Sequence, residues 1–198
     1  AHTDAATAPW QGLATALYGE MLGRIKQTDL SVPYRKGGFL YYTRTEEGKQ
    51  YPYYCRRKGT MDAAEEMLID VNALASGHKF MAIGEFEVSA DGTKLAYSID
   101  STGYRQYALR VKDLTGGAEL PDHAERVTAI AWAADNRTLF YTQEDEVSKR
   151  SYRLYRHTLG ADPSTDVLLH EEKDEMFRVF TGRSRSRAVI FVGLGSLT

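Results

Sequence analysis

Several things are scarce or missing in this chain of 198 residues, and each shortage removes a class of function. Its one cysteine, Cys55, has no partner for an internal disulfide, so a reducing, cytoplasmic setting is expected over an oxidising one. No apolar run approaches the ~18–20 residues of a membrane helix, so no membrane partner is expected. A formal net charge of −2 offers no field for a polyanion, and no nucleic-acid partner is expected either. The opening AHTDAATAPW has neither a basic start nor an apolar signal core. It also lacks an initiator Met, from which the chain is expected to be a piece of something longer.

Catalytic and ligand-binding motifs are equally scarce. A hydrolase nucleophile elbow reads G-x-S-x-G. The nearest text, Gly193-Leu194-Gly195-Ser196-Leu197-Thr198, has Leu194 two places before the serine and stops two places after it. There is no H-E-x-x-H, and the histidines stand far apart at 2, 78, 123, 157 and 170. His78, in a turn, and His157, on a strand, are read as surface or satisfied polar residues rather than ligands. Asp91-Gly92 and Asp135-Asn136 lack the alternating oxygen ligands of a calcium loop and are read as turns. No phosphate-binding glycine loop is present. No catalytic residue, metal or cofactor is expected in this chain.

What is present is a repeat. Phe86 to Leu114 reads as three short strands: Phe86 and Val88; Leu95, Tyr97 and Ile99; then Tyr107, Leu109 and Val111. Alternation with period two puts one set of side chains on a buried face. Asp91-Gly92 supplies the first reversal, where glycine permits positive φ, and Ser101-Thr102-Gly103 the second. A shift of 44 residues carries Val88 onto Trp132, Asp91-Gly92 onto Asp135-Asn136, and Leu95 and Tyr97 onto Leu139 and Tyr141. One further residue brings Tyr152 and Leu154 onto Tyr107 and Leu109. A sheet unit recurring every ~40–50 residues is the spacing of propeller blades. A weaker first copy runs through Phe39–Arg44, Tyr51–Arg57 and Glu66–Val71. A last one begins at Val179-Phe180 and Ala188–Val192. The segment Glu119–Asp122 with Glu125–Val127 is read as a connection between blades.

The expected fold is therefore all-β with an N-terminal helix: an incomplete β-propeller of about three blades plus the start of a fourth. Its expected parts are an arm over residues 1–33, then blades over 34–77, 84–116, 128–169 and 176–198. In the arm, residues 8–26 read as an amphipathic helix, with Trp10, Leu13, Leu17, Met21 and Ile25 on one stripe, Thr7 or Asp4 as cap and Pro9 in the first turn. Alone in water such a helix is marginal, so the stripe packs either on its own domain or on a separate one. An open arc of blades leaves apolar faces uncovered, which requires further blades, a partner or self-association. Two charge clusters remain. Glu171, Glu172, Asp174 and Glu175 are acidic, and Arg178, Arg183, Arg185 and Arg187 are basic. A solvated loop and strand face accounts for both, and the neighbouring acids offset the field of the arginines.

Longer strings carry a resemblance. Arg24–Arg35 (RIKQTDLSVPYR), Glu47–Pro52 (EGKQYP), Cys55–Arg57 (CRR), Gly77–Phe80 (GHKF), Gly103–Tyr107 (GYRQY), Val111–Leu114 (VKDL), Glu125–Thr128 (ERVT) and Ala131–Asn136 (AWAADN) closely resemble oligopeptidase B, also called protease II, of the prolyl oligopeptidase family. The similarity covers essentially the whole chain. It implies a serine peptidase built from an α/β-hydrolase domain and a seven-bladed propeller that admits peptides, excludes folded proteins and serves cleavage after Arg or Lys. The catalytic Ser, Asp and His are then implied to lie on the missing C-terminal domain, with the arm helix packed on it. A cationic substrate side chain suits acidic partners, and Glu144 and Glu172 are the candidates on charge alone. The competing reading is a free-standing, non-enzymatic propeller-like module that binds a peptide or protein.

Overall fold

The computed structural model describes residues 2–196; Ala1, at the tip of the expected arm, and Leu197 and Thr198, at the end of the expected fourth blade and beside Ser196, lie outside the described residues. A helical arm comes first, as α1 (His2–Thr7), a 3₁₀ turn at Ala8–Trp10 and α2 (Gln11–Gly23). The expected single helix over 8–26 thus starts earlier and ends sooner. Thr7 does not cap it: it is itself helical, and its hydroxyl donates to the Thr3 carbonyl at 2.9 Å. Pro9 sits in the first turn of the 3₁₀ segment, where its missing N–H costs nothing. The single-stripe reading also changes. Leu13, Leu17, Tyr18, Met21, Leu22 and Ile25 project on several sides of the helix, and no residue of α1 or α2 is buried.

Three four-stranded antiparallel sheets and a two-stranded one follow, each in simple up-and-down order. Sheet 1 holds β1 (Tyr34–Lys36), β2 (Phe39–Arg44), β3 (Tyr53–Lys58) and β4 (Glu65–Asp70). A one-turn helix, α3 (Val71–Leu74), leads out of it, capped by the Asp70 carboxylate on the N–H groups of Asn72 and Ala73. Sheet 2 holds β5 (Ala82–Val88), β6 (Lys94–Asp100), β7 (Ala108–Asp113) and β8 (Glu119–Ala124). Sheet 3 holds β9 (Val127–Trp132), β10 (Thr138–Glu144), β11 (Ser151–Thr158) and β12 (Val167–Glu171). The last sheet pairs β13 (Phe177–Arg183) with β14 (Ile190–Ser196). This is mostly β structure with an N-terminal helix, and the four sheets form an incomplete propeller. Glu119–Asp122, read from the sequence as a connection, is strand β8, the outermost of its sheet.

The sheets stack face to face, which changes the meaning of the alternation. Along β6 both faces are buried. Leu95, Tyr97 and Ile99 pack with Tyr41, Leu68 and Ile69 of sheet 1. Ala96, with Leu109 and Val111 of β7, packs on Ile130, Trp132, Leu139 and Tyr141 of sheet 3. Small residues on one face let the next sheet approach, while the large ones fill the other seam.

The repeated turns meet as well. Asn136, at φ 55, takes the left-handed position that Gly92 holds at φ 76, and its side-chain oxygen accepts the Asp91 N–H at 3.2 Å. Trp132 crosses the same seam, donating its indole N–H to the Glu87 carbonyl at 2.7 Å. Between sheets 1 and 2, buried Arg56 grips Glu66 through two 2.7 Å bonds, donates to the Gly92 carbonyl at 2.6 Å and lies over the Phe39 ring. Along the inner side of the arc, β9 adjoins both β5 and β13.

Candidate functional site

One end of the stacked sheets is marked by the arm. Residues 27–31 run beside the β2–β3 turn: Thr45 donates its N–H to the Asp29 carbonyl and its hydroxyl to the Gln27 carbonyl, and Glu47 N–H reaches the Thr28 hydroxyl. The corresponding turns of the later sheets lie at the same end. Tyr107, closing the β6–β7 loop, accepts from Val127 N–H, and Arg126, between β8 and β9, accepts from Glu144 N–H.

The two ends of the blades differ in chemistry. At the arm end the loop tips carry large apolar side chains in water: Phe80, Tyr104 (78% exposed), Val147 (89%) and Met176 (58%). The opposite end turns through Gly37-Gly38, Asp91-Gly92, Gly116-Gly117, Asp135-Asn136 and Gly160, and its exposed large apolar residues among those described are Val167 and Val189. Tyr104 is held firmly. The buried Asp100 carboxylate accepts from Thr102 N–H and hydroxyl, Gly103 N–H and Arg105 N–H at 2.6–3.1 Å, and Arg105 sits at φ 59.

Glu144 and Glu172 both lie at this end, in different states. Glu144 closes β10 at a bulge opposite Ser151 and is buried. Its Oε1 accepts no hydrogen bond among the described residues. Burial pushes its carboxyl above the usual range, while Lys149 and Arg126 pull the other way. Glu172 opens the β12–β13 connection, and its carboxylate is engaged locally. Oε1 accepts the Asp174 N–H at 2.8 Å, and Oε2 lies 3.8 Å from His170 Nε2. The structure places no direct contact between the two. Their loops are joined by Arg150, which donates to the carbonyls of Glu172, Asp174 and Phe177 at 3.2, 3.1 and 2.9 Å. Between those loops opens a cleft of about 460 Å³, lined by Asp145, Val147, Arg150, Glu175, Met176 and Arg178.

The basic run does not stay together. Arg178 lines this cleft, whereas Arg183, Arg185 and Arg187 lie at or beyond the other end of β13 and line a second cavity of about 400 Å³ along the inner strands, with Lys36, Glu85 and Glu87. Strand length separated what the sequence had adjacent. Sequence reasoning missed Arg150 and the apolar tips, since lone bulky residues between turn formers look like ordinary loop composition.

Comparison with known proteins decides the family. The model of the prolyl oligopeptidase N-terminal beta-propeller domain matches residues 1–198. The chain belongs to the prolyl oligopeptidase family, as part of its N-terminal propeller. Among relatives, it is 41% identical to dipeptidyl aminopeptidase BI of Pseudoxanthomonas mexicana, over 99% of this chain and 29% of that protein. It is 34% identical to Protease 2 of Moraxella lacunata, over 96% of this chain and 29% of that protein. The structure of oligopeptidase B from Leishmania major superposes with a TM-score of 0.88 at 30% identity, covering 97% of this chain and 28% of that one. The propeller segment thus spans under a third of the length of these relatives, which are larger peptidases. No helix among the described residues is long and apolar enough to cross a membrane.

Proposed function

We propose that this chain is the N-terminal arm and first blades of a serine oligopeptidase of the oligopeptidase B type, which cleaves peptides after Arg or Lys. In this reading the catalytic Ser, His and Asp belong to polypeptide outside the chain, which is itself inactive. There an activated serine attacks the carbonyl, histidine moves the proton, aspartate orients it and backbone donors hold the oxyanion. The blades serve the reaction by size selection and by excluding water when the domains close. The parts are the arm, 1–33, and the blades, 34–198.

The observation that carries the reading is the asymmetry of the two ends. An uncovered, apolar helical arm and the tips Tyr104, Val147 and Met176 share one end, and a catalytic domain seated there would bury them together. The acidic candidates for the cationic substrate group are Glu144, which is buried with one carboxylate oxygen unpartnered among the described residues, and Glu172, whose carboxylate is engaged locally. The test is the full-length enzyme with Val147→Asp and Met176→Asp. The expected result is a fall in kcat/KM of tenfold or more, with the melting of the blades unchanged. Wild-type kinetics in the double variant would remove the docking role.

A second reading has its own support in the 41% identity to a dipeptidyl aminopeptidase. Such an enzyme requires a free substrate amino terminus, whereas an endopeptidase does not. Peptides with one internal arginine, offered with free and with acetylated N-termini, separate the two. Equal cleavage of both favours the endopeptidase, and loss on acetylation favours the aminopeptidase.

A further inference from the structure

A buried histidine outside the proposed chemistry joins the second and third blades. His157 lies on β11 opposite Leu139, with its side chain 2% exposed. Nε2 is 2.8 Å from Asp122 Oδ1 on β8, and Nδ1 is 2.6 Å from Asp166 Oδ1, just before β12. Asp122 Oδ1 also accepts the Gly160 N–H at 2.5 Å, and Asp166 Oδ2 accepts the Tyr141 hydroxyl at 2.8 Å. The Tyr141 ring in turn stacks on Tyr155. His157, Tyr141 and Tyr155 come from sheet 3, Asp166 from the loop that leads into its last strand, and Asp122 from sheet 2.

Ionised carboxylates only accept hydrogen bonds. A neutral imidazole carries one donor and one acceptor, so it satisfies one aspartate and turns a lone pair toward the other. The imidazolium donates to both. We propose that His157 is a proton-operated latch between the second and third blades, shut while the ring carries both protons and loosened when it loses one.

The groups that face the ring fix the direction. Burial alone would lower the histidine pKa, but hydrogen bonds to Asp122 and Asp166 outweigh it, and the net shift is upward from 6.5. From β10, Tyr141 reaches the ring only through Asp166; burial and that same bond raise its own pKa. From β8, Glu119 is taken by the Tyr97 hydroxyl, and the exposed His123 turns to the Pro121 carbonyl. With the folded pKa above the unfolded one, the latch's contribution is fully present below about 6.5 and is lost as pH rises through the folded value. Deprotonation leaves two carboxylates in a buried seam with no cation between them, which favours separating β8 from sheet 3.

Hydrogen–deuterium exchange of the full-length enzyme from pH 6 to 9, corrected for intrinsic rates, tests this without reference to activity. Peptides spanning β8 and residues 157–167 should lose protection above pH 6.5, roughly tenfold per pH unit up to the folded pKa. Peptides from sheet 1, whose seam is held by Arg56, should not. In Asp122→Asn the proton is held less tightly, so the loss should level off at a lower pH and be smaller, and in His157→Gln it should vanish. Should His157→Gln fail to fold, Asp122→Asn carries the test. Flat wild-type protection across this range, or an unmoved transition in Asp122→Asn, overturns the latch.

Discussion

Glu144 and His157 are both buried and ionisable, but their surroundings treat them differently. His157 meets two complementary partners, whereas one oxygen of Glu144 meets none. An unsatisfied buried group of this kind costs about 1–3 kcal/mol. Because its folded pKa is raised, the carboxylate weakens the fold increasingly as pH climbs above the unfolded value of about 4.5. Glu144→Gln should therefore melt higher than the parent at pH 7, by an amount that shrinks to nothing in acid, where both carry no charge. If Glu144 receives a cationic substrate group, the same variant should raise KM for Arg and Lys peptides while leaving kcat nearly unchanged. A variant less stable at pH 7 would contradict the first expectation. Cys55 adds a contrast: burial, and then Glu65, push its thiol up to about 11, so it stays protonated and unreactive. From the sequence, His157 was read as a surface or satisfied polar residue, and satisfied it is. Its partners at 122 and 166 follow no local spacing, so nothing in the chain order marked them.

At the scale of elements, hairpins were the most legible feature, and outer strands the least. Strands β5, β6, β9 and β10 combine alternation with turn residues at fixed offsets. The outermost β8 reads ELPDHA: its proline donates no ladder hydrogen bond, and half its residues face solvent. Polarity and proline together resemble a connection, and only pairing with β7 makes the segment a strand. The β12–β13 connection owes its shape to one side chain. Arg150→Ala removes three bonds to main-chain carbonyls and should cost about 2 kcal/mol. Exchange over residues 172–178 should rise, while that over sheet 1 stays put. Unchanged exchange there would mean that the loop holds itself.

The whole molecule has two unlike end faces. On the outer face of sheet 1, the Tyr42 hydroxyl donates to Glu65 at 2.6 Å and accepts from Arg57 at 2.8 Å, and Arg44 lies over Tyr53. Apart from the half-exposed Met67, that surface is polar and internally satisfied. On the last hairpin Phe180 and Phe191 lie over Gly193 and Gly182, where a Cβ would clash with the rings. Both rings are substantially exposed. The isolated chain should therefore bind a hydrophobic dye and associate at rising concentration in sedimentation, through this hairpin. Phe180→Ser with Phe191→Ser should weaken both effects. A dye-silent monomer would show that these rings find cover without another blade.

The residues by themselves determined that the chain makes successive antiparallel hairpins with a fixed repeat. Those are short-range properties, since turn chemistry and alternation act over a few positions. Tertiary structure alone decided which seam each face fills, which end bears the apolar tips, and which acids hold His157 or leave Glu144 without a donor. These depend on side chains tens of residues apart that become neighbours only when sheets stack, because burial and charge pairing are set by distance in space.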